Sequence, residues 1–148
     1  MYDFQLIVSS AGRVVQIGRI CVSNALKEIG LSSAEADVLM FLYMNGDGIR
    51  QDDIVAGVEV SKPAISRTIH SLESKGYVIR KQNTEDKRSY VVSLTDRARE
   101  AEGLVKKQYR DLVNAACLGI PEEKVKEVIE VFKDVVNNME KYRIERFS

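Results

Sequence analysis

The sequence contains little of what catalysis, metal binding or disulfide stabilisation requires. Its 148 residues include two cysteines, two prolines, one histidine and no tryptophan. Two cysteines, Cys21 and Cys117, are too few for a disulfide framework and are typical of a reducing compartment. Because His70 is the only histidine, no histidine-rich metal site and no nucleophile–histidine pair can form without it. We therefore expect no enzymatic activity, no catalytic residue, no metal and no cofactor.

Long apolar runs and targeting signals are also missing. No apolar run approaches the roughly 20 residues that a membrane helix needs. The N-terminus carries the acidic Asp3 instead of the basic segment of a signal peptide. The apolar fraction of 45% allows a hydrophobic core, and 30% charged residues are typical of a soluble surface. We expect a cytoplasmic protein of one domain, residues 1–148, with no membrane partner.

An excess of one charge is absent overall but present locally. The 22 basic and 22 acidic residues cancel to a formal net charge of zero. Residues 60–92 nevertheless hold seven basic and three acidic side chains, a net +4, and the remainder holds 15 basic and 19 acidic side chains, a net −4. A basic segment on an otherwise acidic chain is what local docking to DNA requires. Chance clustering on a solvated surface is the alternative.

The basic segment has the local pattern of a helix followed by a β-hairpin. Ser61 is a suitable N-cap, and Pro63 lies in the first turn, where a missing N–H has no cost. Lys75 and Gly76 are typical of a helix end. Two β-branched and aromatic runs, 77–80 and 89–92, flank a charged loop suited to a hairpin tip. A helix and a charged hairpin in this order indicate a winged helix.

Upstream of this unit, three helices are predicted. Apolar residues recur at steps of three and four over 4–29, and Gly30 follows. Ser32 and Glu35 have the spacing of a capping box at the start of the second helix. A short third helix over 51–58 leads through a turn at 58–61 into the helix that begins at Ser61. Two short helices joined by a tight turn indicate a helix-turn-helix.

Downstream, two further helices are predicted. Thr95 is the expected N-cap of the first, which ends near Gly119, and Pro121 is expected at the first helical position of the last. The apolar stripes of the terminal helices are wider than one neighbour covers, which indicates contact with another subunit. Cys21 lies on such a stripe, so we interpret it as a small buried hydrophobic residue, with a redox sensor as the alternative. The same interpretation applies to Cys117.

Six short motifs carry a resemblance to a known family: Leu31-Ser32-Ser33-Ala34-Glu35, Gln51-Asp52-Asp53-Ile54, Ser61-Lys62-Pro63-Ala64-Ile65-Ser66-Arg67, Leu72-Glu73-Ser74-Lys75-Gly76-Tyr77-Val78-Ile79-Arg80, Asp86-Lys87-Arg88 and Ser93-Leu94-Thr95. Each motif is weak alone, but their order and separations are specific. Together these motifs resemble the MarR family of winged-helix transcriptional regulators. The resemblance implies a mainly α fold with a small β-hairpin. A winged helix-turn-helix over 31–94 would be flanked by helical dimerisation regions over 1–30 and 95–148.

The resemblance also implies a function. Members of this family act as homodimers in which two winged helices bind one palindromic site in double-stranded DNA. We expect a sequence-specific transcriptional regulator, a repressor of a nearby operon that is relieved by a small aromatic or other small-molecule effector. A winged helix used as a protein-interaction module, without specific DNA binding, is the alternative.

The residues expected to contact DNA lie on the helix that begins at Ser61 and on the wing. A helix in the major groove presents its N-terminal half to base edges, and Arg67 is suited to bidentate contact with guanine. A salt bridge from Arg67 to Asp86 is the alternative. By resemblance, Arg88 enters the minor groove, and Asp86 braces the hairpin or holds an arginine. The predicted DNA-binding residues are Ser61, Lys62, Pro63, Ser66, Arg67, His70, Lys81, Lys87 and Arg88.

An effector pocket between the dimer helices and the winged helix is implied by the family alone. We expect Arg13, Arg19, Tyr43 and Tyr109 to line it. The alternative is that the aromatic residues belong to the core, where aromatics at helical spacing are more common.

Overall fold

The computed structural model describes residues 2–58 and 60–148 and is mainly helical, with a small antiparallel sheet. In chain order the elements are α1 (Tyr2–Ala25), a one-turn 3-10 helix (Lys27–Ile29), α2 (Ser33–Asn45), β1 (Ile49–Arg50), α3 (Gln51–Val58), α4 (Lys62–Ser74), β2 (Val78–Gln82), β3 (Tyr90–Leu94), α5 (Asp96–Ala116) and α6 (Glu122–Phe147). This order confirms the predicted fold class, a winged helix-turn-helix with long helices on either side. The described residues up to Leu112 form one compact unit and Val113–Ser148 a second, so the single domain over 1–148 stays a prediction.

The sheet has three strands in the order β1-β3-β2. The predicted hairpin pairs Val78 with Leu94 and Gln82 with Tyr90. On its other side, β3 pairs with the short β1, where Ile49 lies opposite Val92. The central β3 is therefore paired along both edges at Val91 and Val92. The wing consists of β2, β3 and the loop 83–89 that joins them, and this loop forms its tip.

Local signals at both ends of α4 are confirmed. The Ser61 hydroxyl accepts a hydrogen bond from the Ala64 amide at 3.3 Å, as an N-cap does. At the other end the Tyr77 amide donates to the Leu72 carbonyl at 2.9 Å, and Gly76 has φ 79°. That left-handed conformation explains the glycine. Of the turn predicted over 58–61, Glu59 lies outside the described residues.

The core of the winged helix depends on one face of α4. Its Ile65, Ile69 and Leu72 are each at most 1% exposed. They belong to the same buried cluster as Leu39 of α2 and Ile54 of α3. Burying each such side chain contributes about 1.5–3 kcal/mol to folding. This burial directs the opposite, polar face of α4 outward.

A buried carboxylate joins the start of α2 to the end of α4. Glu35 is only 4% exposed. Its Oε1 accepts hydrogen bonds from the Ser32 amide at 3.0 Å and from Lys75 Nζ at 2.8 Å. Its Oε2 accepts from the Ser71 hydroxyl at 3.2 Å. The Ser32 hydroxyl accepts from the Glu35 amide at 3.2 Å, which confirms the capping box. We call these four residues the Glu35 clasp.

Two helix ends differ from the prediction. The helix expected over 4–29 is α-helical only to Ala25, because the Leu26 carbonyl accepts from both the Ile29 and the Leu31 amides and tightens the chain into a 3-10 turn. Pro121 is the N-cap of α6 rather than its first helical residue, since its own carbonyl accepts the first hydrogen bonds of that helix.

The expectation of a buried Cys21 is wrong for the protomer. The Cys21 side chain is exposed and Cys117 is half-buried. The pattern correctly placed Cys21 on the apolar side of α1. That side is itself largely uncovered, however, with Val14 at 70% and Ile17 at 49% exposure. An apolar stripe alone does not reveal whether its partner lies in the same chain.

The expectation that no segment is long and apolar enough to cross a membrane also needs correction. The helical segment Asp3–Ala25 has 23 residues, and an 18-residue stretch within it has a mean hydropathy of 1.3. By length and composition alone, such a helix could cross a membrane. Only 6% of this stretch is buried. Polar residues such as Arg13 and Arg19 interrupt the apolar runs without lowering the mean enough to exclude it.

Replacing Gly57 of α3 by alanine should destabilise the fold. An added Cβ would lie 1.9 Å from Cε2 of Phe41, so the ring or α3 must move, at a cost of about 1–3 kcal/mol. The matched control is Gly103→Ala in α5, where nothing lies within 4 Å of the added Cβ and a gain of up to about 1 kcal/mol is expected from helix propensity. Urea unfolding measures both. Equal stability of the two variants would contradict the packing described here.

The free energy of unfolding should depend on pH through the ionisation of Glu35. Burial by itself would raise the pKa of Glu35, but hydrogen bonds from Lys75 and Ser32 outweigh burial and hold that pKa below its usual value. The carboxylate therefore stabilises the folded state above the pKa of the unfolded chain, and this contribution is lost as pH falls through the lower, folded-state pKa. Between about pH 5 and 3, the free energy of unfolding should fall more steeply for wild type than for Glu35→Gln. Parallel pH profiles from urea titrations would exclude this role.

Candidate nucleic-acid interface

The outward face of α4 carries the residues predicted to read DNA. Pro63, Arg67 and His70 are exposed, and Ser66 is half-buried. They are exposed because Ile65 and the other apolar residues of α4 occupy the opposite face. Among residues 2–58 and 60–148, no carboxylate lies within 4.0 Å of the Arg67 guanidinium, so the salt bridge to Asp86 considered above is not formed. The exposed Arg67 guanidinium is therefore available to an incoming ligand.

Lys62, at the start of α4, faces an acid of α3. Its Nζ lies 3.5 Å from Asp52 Oδ1, and the two side chains are 74% and 52% exposed. Surface ion pairs of this kind contribute about 0–1 kcal/mol. Because the pair is weak, a DNA phosphate could displace Asp52 from Lys62.

Asp86 organises the tip of the wing through the backbone. Its Oδ1 accepts a hydrogen bond from the Arg88 amide at 3.0 Å, and its carbonyl accepts from the Ser89 amide at 3.0 Å. The Gln82 side chain donates across the hairpin to the Lys87 carbonyl. This network holds the backbone of the tip while its basic side chains remain outside. Exposed basic residues of the wing are Lys81, Lys87 and Arg88.

Not every basic residue of the segment is free. Lys75 Nζ is held by Glu35 and by the Gly30 carbonyl at 2.6 Å. The Arg80 guanidinium lies 4.3 Å from the centre of the Tyr90 ring, a cation–π contact within the wing. A count along the sequence therefore overstates the cations available to a ligand, since it cannot distinguish internal from outward positions.

Asp47 fixes the base of the wing, a role that the sequence analysis missed. Its Oδ1 accepts from the Leu94 amide at 2.8 Å and the Gly48 amide at 3.0 Å. Its Oδ2 accepts from Arg99 Nη2 at 2.7 Å. No local signal identifies partners 47 and 52 residues away along the chain.

Two adjacent cavities lie beside the start of α2. They measure about 270 and 240 Å³ and share Arg19, Ser33 and Asp37 in their walls. The first extends to Ala64, Ile65 and Thr68 of α4. The second extends along α1 and is closed by Tyr109 and Leu112 of α5. Apolar walls with a few polar groups are typical of small-molecule sites.

The four predicted pocket residues divide into two pairs. Arg19 and Tyr109 line these cavities, whereas Arg13 and Tyr43 line neither of the two. The Tyr109 hydroxyl donates to Asp37, and burial together with that carboxylate strongly raises the Tyr109 pKa. The Tyr43 hydroxyl donates to the Ala98 carbonyl, and burial, with a smaller effect of Glu102, raises the Tyr43 pKa to about 12. Both phenols are therefore neutral donors at ordinary pH.

A helix-turn-helix with an exposed basic helix face and a basic hairpin wing defines the winged-helix class of nucleic-acid-binding proteins. The family model for the MarR family matches residues 29–89. The chain is 32% identical to the HTH-type transcriptional regulator YdgJ of Bacillus subtilis (strain 168) over 110 residues, which cover 74% of this chain and 66% of that protein. The match thus spans slightly less than two thirds of that relative.

Solved structures agree with this match. A MarR transcriptional regulator from Methanosarcina mazei Go1 superposes with a TM-score of 0.83 at 25% identity, over 93% of this chain and 99% of that one. A MarR-family regulator from Listeria monocytogenes, solved with 26mer DNA, superposes with a TM-score of 0.84 at 20% identity over 95% of each chain, and this similarity bears on the fold alone. The chain belongs to the MarR family. These relatives are transcriptional regulators and not enzymes, in agreement with the sequence analysis.

Proposed function

We propose that the chain is a homodimeric, sequence-specific DNA-binding regulator, which acts in the cytoplasm as a repressor of a nearby operon. The observation that carries the proposal is the outward surface formed by Arg67 and His70 of α4 and by Arg88 of the wing. Arg67 would contact a guanine in the major groove, and Arg88 would enter the minor groove. The solved DNA complex of the Listeria relative supports this use of the fold.

The other predicted DNA-binding residues support the same surface. Ser61 and Lys62, at the N-terminal end of α4, would contact the phosphate backbone, and Pro63 would offer apolar contact to a thymine methyl. Lys81 and Lys87 are exposed on the wing and would contact phosphates. Asp86 would keep Arg88 at the tip through its hydrogen bond to the Arg88 amide.

Dimerisation is supported by uncovered apolar surface on the terminal helices. Ile7 and Val14 of α1 are 49% and 70% exposed. Phe132 and Val136 of α6 are 40% and 57% exposed. Contiguous apolar faces of this kind mark interfaces. Residues 1–30 and 95–148 would form the dimerisation region, and residues 31–94 the winged helix-turn-helix of each protomer.

Relief by a small molecule is supported by the cavities beside α2. A ligand in the first cavity would touch Ala64 and Thr68 of α4 directly, so its binding would be coupled to the position of the recognition helix. Arg19 and Asp37 offer opposite charges, and the remaining walls are mainly apolar. A small aromatic or other amphipathic molecule fits this chemistry.

DNA binding can be tested with a duplex that the wild-type protein selects from a random-sequence library and a shuffled duplex of the same composition. Arg67→Ala should lower affinity for the selected duplex more than for the shuffled one, by about 1–3 kcal/mol. Lys87→Ala should weaken binding to both equally and reduce the salt slope by about one. Fluorescence anisotropy measures both effects. The protein-interaction alternative is favoured if the wild type selects no sequence. It is also favoured if Arg67→Ala and Arg88→Ala leave the affinity for the selected duplex unchanged.

Dimerisation can be tested on α6. Phe132→Asp should shift the protein towards monomer, because a carboxylate on the apolar face opposes its burial. Glu130→Asp, on the same helix, is the matched control and should leave the mass unchanged. Sedimentation equilibrium measures the mass directly, and a monomeric wild type at micromolar concentration would refute the homodimer.

A further inference from the structure

We infer that the Glu35 clasp is a positioning device for DNA recognition, which holds α4 at the orientation in which its outer residues reach base edges. The inference rests on the proposed function, because it assumes that α4 reads DNA. Glu35 is a positioning residue in this account. At 4% exposure it is almost completely removed from contact with a ligand.

Apolar burial and hydrogen bonds contribute differently to the orientation of α4. Burial of Ile65, Ile69 and Leu72 turns the polar face of α4 outward, but hydrophobic attraction has no preferred direction and leaves small rotations of the helix possible. The N-cap at Ser61 bonds only within its own helix. Hydrogen bonds to an ionised group are directional and about twice as strong as neutral ones. The clasp is therefore suited to fix the rotation of α4 against α2.

The clasp acts at the C-terminal end of α4. Glu35 accepts from Ser71 on the last turns of α4 and from Lys75, which directly follows that helix. Lys75 also donates to the Gly30 carbonyl, and the Tyr77 hydroxyl donates to the Ile29 carbonyl at 3.0 Å. The segment before α2 and the segment after α4 are thus joined by several bonds. A recognition helix anchored at its C-terminal end can direct its N-terminal half into the groove.

Recognition of base edges tolerates little rotation of α4. Recognition geometry must be held to about 0.5 Å and 10–20°. A small rotation of α4 would misdirect Arg67 towards its base while leaving the wing lysines near phosphates. Loss of the clasp should therefore reduce sequence preference and leave non-specific binding intact.

The experiment compares two serine substitutions of the same kind. Ser71→Ala removes a donor from the clasp. Ser23→Ala removes the hydroxyl of α1 that accepts the Ser33 amide at 3.0 Å, a bond that also reaches the start of α2 but does not involve α4. Both variants should stay folded, with small and similar losses of stability. We expect Ser71→Ala to lower the ratio of affinities for the selected and shuffled duplexes severalfold, and Ser23→Ala to leave the ratio unchanged.

A second pair of substitutions, which removes the charges of Lys75 and Glu35, distinguishes an effect on the orientation of α4 from an effect on stability. Lys75→Met alone leaves a buried carboxylate without its ammonium and should destabilise the protein. Adding Glu35→Gln removes that charge and should restore much of the stability, since glutamine also serves in a capping box. The double variant should nevertheless keep an affinity ratio about tenfold below wild type. The salt slope on the shuffled duplex should change little.

Each outcome decides the matter. A wild-type protein with no preferred duplex overturns the proposed function and, with it, this inference. A wild type that prefers its duplex, together with clasp variants that stay within twofold of the wild-type ratio, overturns the inference alone. An equal fall of the ratio in Ser23→Ala and Ser71→Ala would assign the clasp a general structural role and would also overturn it.

Discussion

The structure depends on the burial of one apolar face of α4. Ile65, Ile69 and Leu72 are almost completely removed from water, and they share their cluster with residues of α2, α3 and the sheet. Since helical periodicity places polar residues opposite this face, the same packing that stabilises the winged helix exposes Arg67 and His70. The buried face of α4 thus stabilises the fold, and its exposed face contributes to the candidate interface.

Burial leaves small movements of α4 and of the wing possible, and directional hydrogen bonds restrict these movements. The Glu35 clasp joins the end of α4 to α2, and Asp47 joins the base of the wing to Arg99 of α5. Each uses a carboxylate that accepts from at least one backbone amide and from a cationic side chain. Each of these carboxylates is matched by a cation, so the outward cations of α4 and the wing instead reflect the local excess of basic residues over 60–92.

Features encoded by neighbouring residues could be predicted from the sequence. The cap at Ser61, the capping box at Ser32 and the glycine end at Gly76 each need only a few residues, and all three are present. Whether an apolar stripe is buried within the chain could not be predicted, because its partner need not belong to the same chain. Cys21, which lies on such a stripe, is exposed.

Long-range polar pairs were equally inaccessible to the sequence analysis. Asp37 accepts a hydrogen bond from Tyr109, 72 residues away, and no residue near Asp37 in the sequence indicates that partner. The same applies to Asp47 at the wing base. The DNA contacts assigned to individual residues remain predictions, since base recognition depends on a partner molecule as well as on this chain.

The most direct test of the account is methylation interference on a duplex selected by the wild-type protein. Methylation at guanine N7 reports major-groove contact and methylation at adenine N3 reports minor-groove contact. Two α4 helices in a dimer predict two clusters of guanine interference about one helical turn, or a multiple of it, apart. Adenine interference on their outer flanks is expected from the wings. A single cluster, or interference only in the minor groove, would contradict the account.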